Sequence, residues 1–199
     1  MVTTVPTTRL DRREVVATLL ADRGDALVVT GLGSPTYDVH AAGDHDANYY
    51  LWGAMGAAAL VGLGLARAQP DRRVVVITGD GEQLMGLGGL ATIAAVGPAN
   101  LDIVVLDNEH YGETGMQTSH TGLGIDLAAV AAALGFADAR VVRTTGDVDE
   151  LVAVHASPAT GPRLAVVKVA AEHLPRSMPT RDAVSVKHRF RAWLGMSPT

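Results

Sequence analysis

The chain has 199 residues, 48% of them hydrophobic, so we expect one domain with a sizeable core. A net charge of −5 argues against nucleic acid as a partner, because phosphate backbones bind basic faces. The absence of cysteine excludes disulfides, Cys-ligated zinc and Cys-held iron–sulfur clusters. The sequence shows no signal-peptide pattern and no apolar stretch long enough to span a bilayer, which predicts a cytoplasmic protein without a membrane partner.

Short apolar runs alternate with segments of helical spacing along the chain. The pattern predicts strands over 26–30, 74–78, 103–107, 139–143 and 164–169, and helices over 10–20, 84–96, 126–134, 147–155 and 183–194, with one more that ends near Ala68. The segment 31–48 is predicted to be a polar loop. Asp147 and Glu150 resemble a capping box. We divide the chain into a flexible tail (1–9), one α/β domain (10–172) and a basic tail with a short helix (173–199).

This alternation predicts a doubly wound parallel sheet, in which ligands bind at the carboxyl ends of the strands. Gly79-Asp80-Gly81 follows one predicted strand, and Asn108 follows the next. A carboxylate in a phosphate-binding turn repels the phosphate unless a cation lies between them, and Mg²⁺ prefers such oxygen ligands. We therefore predict a Mg²⁺ site made by Asp80, the Asn108 amide oxygen and the backbone carbonyl of His110.

Taken alone, Gly79-Asp80-Gly81 also fits two other structures. One is an ordinary tight turn with a solvated aspartate, since Gly and Asp dominate turns. The other is a dinucleotide-binding turn, but that fingerprint has a third glycine where this chain has Leu84. The Asn108 site and the long polar loop over 108–124 favour the metal site.

The spacing of Gly79-Asp80-Gly81 and Asn108 resembles the cofactor-binding (PP) domain of thiamine-diphosphate-dependent decarboxylases. The surrounding residues resemble the β-subunit of sulfopyruvate decarboxylase and the C-terminal half of phosphonopyruvate decarboxylase, and the similarity extends roughly over 28–136. The matching segments are Gly53–Gly56, Gly79–Met85, Leu90–Ala94 and Asn108–Gly115. The family often has two asparagines where this chain has Asp107-Asn108.

The resemblance implies thiamine diphosphate and Mg²⁺ as cofactors and a thiamine-diphosphate-binding fold. Met55 would lie under the cofactor and keep it bent, although a methionine there also suits a helix core. The Gly53 carbonyl would accept a hydrogen bond from the aminopyrimidine. The residues implied near the diphosphate are Gly79, Asp80, Gly81, Glu82, Asn108, His110, Tyr111 and Gly112.

The resemblance also implies that a second polypeptide completes the active site. In these enzymes a glutamate from a pyrimidine-binding (Pyr) domain activates the cofactor, and the segment before Val28 is too short for such a domain. We expect a hetero-oligomer, α₂β₂ or larger, that is inactive without the Pyr-domain subunit. The expected reaction is decarboxylation of a small 2-oxoacid, such as 3-sulfopyruvate or 3-phosphonopyruvate, to an aldehyde and CO₂.

Other functions stay open at this point. A carboligase subunit similar to acetolactate synthase, or the β-subunit of a 2-oxoacid oxidoreductase, would carry the same motif. The lack of cysteine disfavours the oxidoreductase. A nucleotide-binding Rossmann-like module is the non-enzymatic alternative.

Three further groups of polar residues have open roles. His120, in the loop over 108–124, is a candidate for substrate contact or proton transfer, or else part of a loop that orders on partner binding. The cluster of His40, Asp44, His45 and Asp46 suits a solvated loop better than a metal site. The basic tail suits a solvated face or subunit contact better than a sulfonate or phosphonate site.

Overall fold

The short apolar runs form β-strands in the computed structural model, which describes residues 9–196. The strands are β1 (Leu27–Thr30), β2 (Asn48–Tyr50), β3 (Val74–Gly79), β4 (Leu101–Asp107), β5 (His110–Tyr111), β6 (Gln117–Thr118), β7 (Asp138–Val142) and β8 (Arg163–Lys168). Six of them make a parallel sheet in the order β2-β1-β3-β4-β8-β7. The other two, β5 and β6, form an antiparallel hairpin in the segment 108–124, for which no strand is predicted.

Helices cover both faces of the sheet. They are α1 (Arg12–Leu20), α2 (Ser34–Ala41), α3 (Ala58–Ala68), α4 (Asp80–Met85), α5 (Leu87–Val96), α6 (Leu127–Leu134), α7 (Thr145–His155) and α8 (Ala183–Trp193). Successive strand residues point to opposite faces, so Val29 belongs to the core cluster on the face of α3, α5 and α6, whereas Val28 belongs to the cluster on the face of α1, α2 and α7. This doubly wound α/β architecture confirms the predicted fold class.

The segment 31–48, predicted to be a polar loop, contains α2 instead, and β2 begins at its last residue, Asn48. Pro35 lies in the first turn of α2, where a missing N–H loses no helical hydrogen bond. The helix buries Val39 completely, and Asp38 is equally buried because it pairs with Arg12. The polar composition of this segment therefore led to the prediction of a loop, although the segment forms a helix with Asp38 buried.

The predicted turn at Gly79-Asp80-Gly81 and the predicted helix over 84–96 are also wrong in detail. Gly79 is the N-cap of α4, so the helix begins at Asp80 itself. Gly86 then separates α4 from α5. The break occurs at a close backbone contact between Gly86 and Gly56, which no local pattern reveals.

The caps of α6 and α7 show where capping signals succeed and fail. Asp126 caps α6 and Gly135 ends it in the left-handed region, so the helix predicted over 126–134 is correct to within one residue. The predicted capping box of Asp147 and Glu150 is wrong. Thr144 is the N-cap of α7, and Asp147 is its N3 partner, because both reciprocal hydrogen bonds are present at that spacing.

The C-terminal segment packs on the α/β domain. Helix α8 lies beside β2, with the Phe190 ring 5.4 Å from the Tyr49 ring. Residues 1–8 of the predicted tail lie outside the described residues, whereas Arg9 makes an ion pair of 2.8 Å with Glu109. Among the residues that the structure describes, no helix has the length and hydropathy needed to cross a membrane.

Candidate functional site

A cavity opens where two chain connections leave the sheet in opposite directions. From β1 the chain runs through α2 to β2, and from β3 it runs through α4 and α5 to β4 on the other side. Such a switch point is the usual ligand site of a doubly wound sheet. The cavity is lined by Arg12, Leu32, Ser34, Pro35, Met55, Gly79, Asp80, Gly81, Glu82, Met85, Leu106, Asn108, His110, Tyr111, Gly112, Glu113, Thr114 and Val169.

The structure brings most of the predicted site residues to this cavity. All of those implied near the diphosphate line it, and so does Met55. Gly53 and His120 are not part of the lining. The convergence follows from the parallel sheet, because Gly79 at the end of β3 is in register with Leu106 near the end of β4.

Asp80 is held in a defined orientation at the start of α4. Its Oδ2 accepts a hydrogen bond of 3.0 Å from Thr121 Oγ1 and another, shorter one from Ser119 Oγ. The residue is only 2% exposed. Burial raises the pKa of the Asp80 carboxyl, and the Ser119 hydrogen bond opposes that rise. A cation beside Asp80 would favour the charged form of a carboxylate that burial disfavours.

Asn108 and His110 are arranged by a local turn. Asn108 Oδ1 accepts a hydrogen bond of 2.9 Å from the His110 N–H, and the His110 carbonyl accepts one of 3.1 Å from Gly112. Each of these oxygens has a second lone pair. Together with Asp80 they form a set of hard oxygen donors on one cavity, which suits Mg²⁺. Groups of three or more His, Asp or Glu able to hold a metal ion are absent from the described residues.

A buried chain of charges lies behind Asp80. Thr121 Oγ1 is also 2.8 Å from Asp107 Oδ1, and Lys168 Nζ is 2.5 Å from Asp107 Oδ2 and 3.0 Å from Glu109 Oε1. Asp107 is completely buried. Lys168 therefore compensates a carboxylate that would otherwise be buried without a partner.

Tyr111 packs directly over the start of α4. A Cβ atom at Gly81 would lie 2.7 Å from the Tyr111 ring, so the glycine allows the ring to approach the backbone. The Tyr111 hydroxyl is 2.8 Å from Nδ1 of His120, which is exposed. His120 thus reaches the cavity only through Tyr111, and its role in substrate contact or proton transfer stays a prediction.

Met55 lies in a loop with an unusual backbone. Gly53 and Gly56 have φ of 96° and 91°, and Ala54 between them has a φ of 52°. Such a conformation is strained for a residue with a side chain and recurs at functional sites. Met55 is 57% exposed, and Met85, which also lines the cavity, is 60% exposed. Met55 is therefore not a core residue. The apolar side chains of Met55 and Met85 both lie at the rim of the cavity.

Glu82 turns its side chain away from the start of α4. Its Oε2 accepts a hydrogen bond of 3.0 Å from Thr78, and a Cβ atom at Gly31 would overlap it at 1.7 Å. Burial raises the pKa of the Glu82 carboxyl, and hydrogen bonds from Thr78 and from backbone N–H groups act in the opposite direction. Glu82 thus lines the cavity, and its carboxylate makes the contact with the loop after β1.

The sequence did not single out several residues of the site. Ser34 and Pro35 line the cavity because α2 begins there, and that helix was not predicted. Arg12 also lines it, with its Nε 2.7 Å from Asp38 Oδ2 and one terminal nitrogen 2.7 Å from the Glu172 carbonyl. Arg12 and Arg13 share the single carboxylate of Asp38, so this group carries a net positive charge, which favours an anionic ligand. No sequence spacing links Arg12 to Asp80.

The His40–Asp46 cluster makes structural contacts instead of a metal site. His40 Nδ1 is 2.8 Å from Ser177 Oγ, and Asp44 pairs with Arg189 of α8 at 2.7 Å. The ring of His45 packs edge-on against Trp193. These contacts hold the C-terminal segment on the domain.

Arg176 of the basic tail lies near the cavity. Its guanidinium is 3.1 Å from Glu113 Oε2 and stands 5.6 Å from the centre of the Tyr37 ring. Glu113 is part of the cavity lining. The tail therefore contacts the hairpin that carries the site.

The chain is similar to proteins of a known family. The model of the family described as thiamine pyrophosphate enzyme, C-terminal TPP binding domain, matches residues 33–169. The sulfopyruvate decarboxylase β-subunit of Methanothermobacter thermautotrophicus is 44% identical over 140 residues, which are 70% of this chain and 73% of that protein. The phosphonopyruvate decarboxylase of Streptomyces viridochromogenes is 38% identical over 175 residues, but these are only 43% of its length.

Solved structures share the fold. Benzoylformate decarboxylase from Polynucleobacter necessarius superposes with a TM-score of 0.70 at 22% identity, over 87% of this chain and 35% of that one. A 4-hydroxybenzoylformate decarboxylase from Rhodococcus jostii gives a TM-score of 0.68, also at 22% identity, over 85% of this chain and 34% of that one. The chain thus corresponds to about a third of these enzymes. It belongs to the thiamine pyrophosphate enzymes, as their C-terminal TPP-binding domain, and this confirms the resemblance found in its sequence.

Proposed function

We propose that the chain is the PP-domain subunit of a two-subunit 2-oxoacid decarboxylase that uses thiamine diphosphate and Mg²⁺. The substrate is 3-sulfopyruvate, 3-phosphonopyruvate or a similar small 2-oxoacid, and the products are an aldehyde and CO₂. The observation that carries this proposal is the set of oxygen donors from Asp80, Asn108 and His110. They line one cavity at the switch point of the parallel sheet, in a chain that belongs to the thiamine pyrophosphate enzymes.

The residues of the cavity fit the cofactor at both of its ends. Asp80, Asn108 and the His110 carbonyl would hold Mg²⁺ against the diphosphate. Gly79 caps α4 without a side-chain hydrogen bond, so no N-cap side chain competes with phosphate oxygens for the backbone N–H groups of the first turn. The strained loop that carries Met55 would support the bend of the cofactor.

When bound, thiamine diphosphate would supply the electron sink for loss of CO₂. The chain itself would bind and orient the cofactor through the residues just described. Arg12, buried beside the cavity, supports an anionic substrate or cofactor group. His120 would act, if at all, through the Tyr111 hydroxyl.

A second subunit is supported by two observations. The relatives from Methanothermobacter thermautotrophicus and Methanocaldococcus jannaschii are both described as β-subunits. In addition, Met55 and Met85 stay more than half exposed at the rim of the cavity. Exposed apolar side chains around a site are typical of a surface that another protein covers. The partner would be a Pyr-domain subunit that supplies the activating glutamate, in an α₂β₂ or larger assembly.

The test is a reconstitution assay. The purified chain would be mixed with Mg²⁺, thiamine diphosphate and either 3-sulfopyruvate or 3-phosphonopyruvate, with and without a co-purified Pyr-domain polypeptide, and CO₂ release would be measured. We expect turnover only with the partner present. Robust turnover by the chain alone would contradict the two-subunit proposal. A condensed product in place of the aldehyde would favour a carboligase.

A further inference from the structure

Thr121 connects two buried carboxylates, those of Asp80 at the start of α4 and Asp107 at the end of β4. Its Oγ1 lies 3.0 Å from Asp80 Oδ2 and 2.8 Å from Asp107 Oδ1. Ser119 Oγ is 2.9 Å from the same hydroxyl and also donates to Asp80 Oδ2. All four side chains are buried, so water does not compete for these hydrogen bonds.

The hydroxyl of Thr121 has one proton, which it donates to one carboxylate at a time. Asp107 has two other donors, because Lys168 Nζ lies 2.5 Å from its Oδ2 and the Glu109 N–H lies 3.0 Å from its Oδ1. Asp80 has no comparable cation among the described residues. The Thr121 proton is therefore available to Asp80.

We propose that Thr121, supported by Ser119, is a positioning residue that sets the metal affinity of the site. Both hydroxyls donate to Oδ2 of Asp80, which fixes the carboxylate plane and leaves Oδ1 for the cation. Residues that hydrogen-bond to a metal ligand in this way change metal affinity by about 10–100-fold when they are removed. This inference rests on the proposed Mg²⁺–thiamine diphosphate site.

The geometry gives the segment 108–124 two functions at once. Its first residues, Asn108 and His110, provide two of the proposed ligands, and its later residues, Ser119 and Thr121, orient the third. The Ser119 N–H donates to the Glu109 carbonyl at 2.8 Å, which ties the two ends of the segment together. Metal binding therefore depends on the whole segment.

The test is a calorimetric titration of Mg²⁺ into protein at saturating thiamine diphosphate. Thr121→Val keeps the shape of the side chain and removes the hydroxyl, so we expect the Mg²⁺ dissociation constant to rise by about 10–100-fold. Thr121→Ser restores the hydroxyl and should return the constant close to that of the wild type. Thr118→Val makes the same chemical change at an exposed position of the same segment and should change nothing.

Thermal unfolding of each variant without ligand separates positioning from stability. A purely structural role predicts a lower melting temperature for Thr121→Val with an unchanged Mg²⁺ constant, and that result would overturn the inference. If Thr121→Val does not fold, Ser119→Ala replaces it, with the same expected direction and the same overturning result. A wild-type protein that binds thiamine diphosphate without any need for Mg²⁺ would instead contradict the proposed function.

Discussion

The carbonyl oxygen of Gly56 lies 2.0 Å from the position that a Cβ atom at Gly86 would take. This contact joins the loop of Met55 to the junction between α4 and α5. It therefore fixes the position of Met55, the proposed support of the cofactor, relative to Asp80, the first residue of α4.

Gly86→Ala should weaken both stability and cofactor binding. The new Cβ atom would meet backbone, which cannot rotate away, so one of the two segments must shift. We expect the free energy of unfolding in urea to fall by about 1–3 kcal/mol. The affinity for Mg²⁺–thiamine diphosphate, measured by calorimetry, should fall as well.

Gly88→Ala is the matched control for that change. Gly88 lies two residues further along in α5, and its Cβ atom would meet nothing within 4 Å. An alanine in a helix is favoured over glycine by about 0.5–1 kcal/mol, so this variant should be slightly more stable than the wild type. Equal effects of the two substitutions would show that the Gly56 contact does not position the loop.

His155 should make stability depend on pH. Burial lowers its pKa from 6.5 to about 4, and its neighbours include Asp102, Arg73 and Arg163. Between these pH values the unfolded chain binds a proton that the folded protein does not, so stability falls as the pH falls from 6.5 towards 4. The slope from this group approaches ~1.4 kcal/mol per pH unit.

His155→Gln should flatten that slope, as measured by urea unfolding at a series of pH values. We expect this variant to be less stable at every pH because the site is buried, and the slope is therefore the relevant quantity. His173→Gln, at an exposed position, should keep the slope of the wild type. An unchanged slope for His155→Gln would show that this histidine does not titrate as described.

Removing one partner of the ion pair between Arg163 and Asp102 should strongly destabilise the protein. Arg163 Nε is 2.5 Å from Asp102 Oδ1, a terminal nitrogen is 3.0 Å from Oδ2, and both residues are buried. Arg163→Met leaves Asp102 buried without its partner, so unfolding in urea should become easier by about 3–5 kcal/mol.

The pair of Arg140 and Asp138 provides the comparison. Its N–O distance is similar, 2.7 Å, but its side chains are 31% and 26% exposed. Solvent screens such a pair, and Arg140→Met should change stability by at most about 1 kcal/mol. A loss as large as that of Arg163→Met would mean that burial is not what distinguishes the two pairs.

The sequence predicted those parts of the site that depend on strand ends. Asp80 and Asn108 follow buried runs, and parallel strands bring their ends to one edge. The hydrogen bonds of Thr121 and Ser119 to Asp80 were not predicted, because they join residues about forty positions apart without a repeating pattern. Tertiary contact, and not local preference, determines these bonds.

The same distinction explains the errors in the fold. Helix α2 was missed because its charged residue Asp38 is buried through pairing with Arg12 and Arg13, which a polar composition does not reveal. The break at Gly86 was missed because it results from the contact with Gly56. By contrast, the bounds of α6 were predicted to within one residue, because Asp126 and Gly135 cap the helix through contacts with residues close in sequence.

The most direct test of the metal and diphosphate site is calorimetric titration of thiamine diphosphate into the wild-type chain, Asp80→Ala and the exposed control Asp71→Ala, each with Mg²⁺ and with EDTA. We predict binding by the wild type and by Asp71→Ala in Mg²⁺ only, and no measurable binding by Asp80→Ala. Binding that is indifferent to Mg²⁺, or that persists in Asp80→Ala, would contradict the site described here.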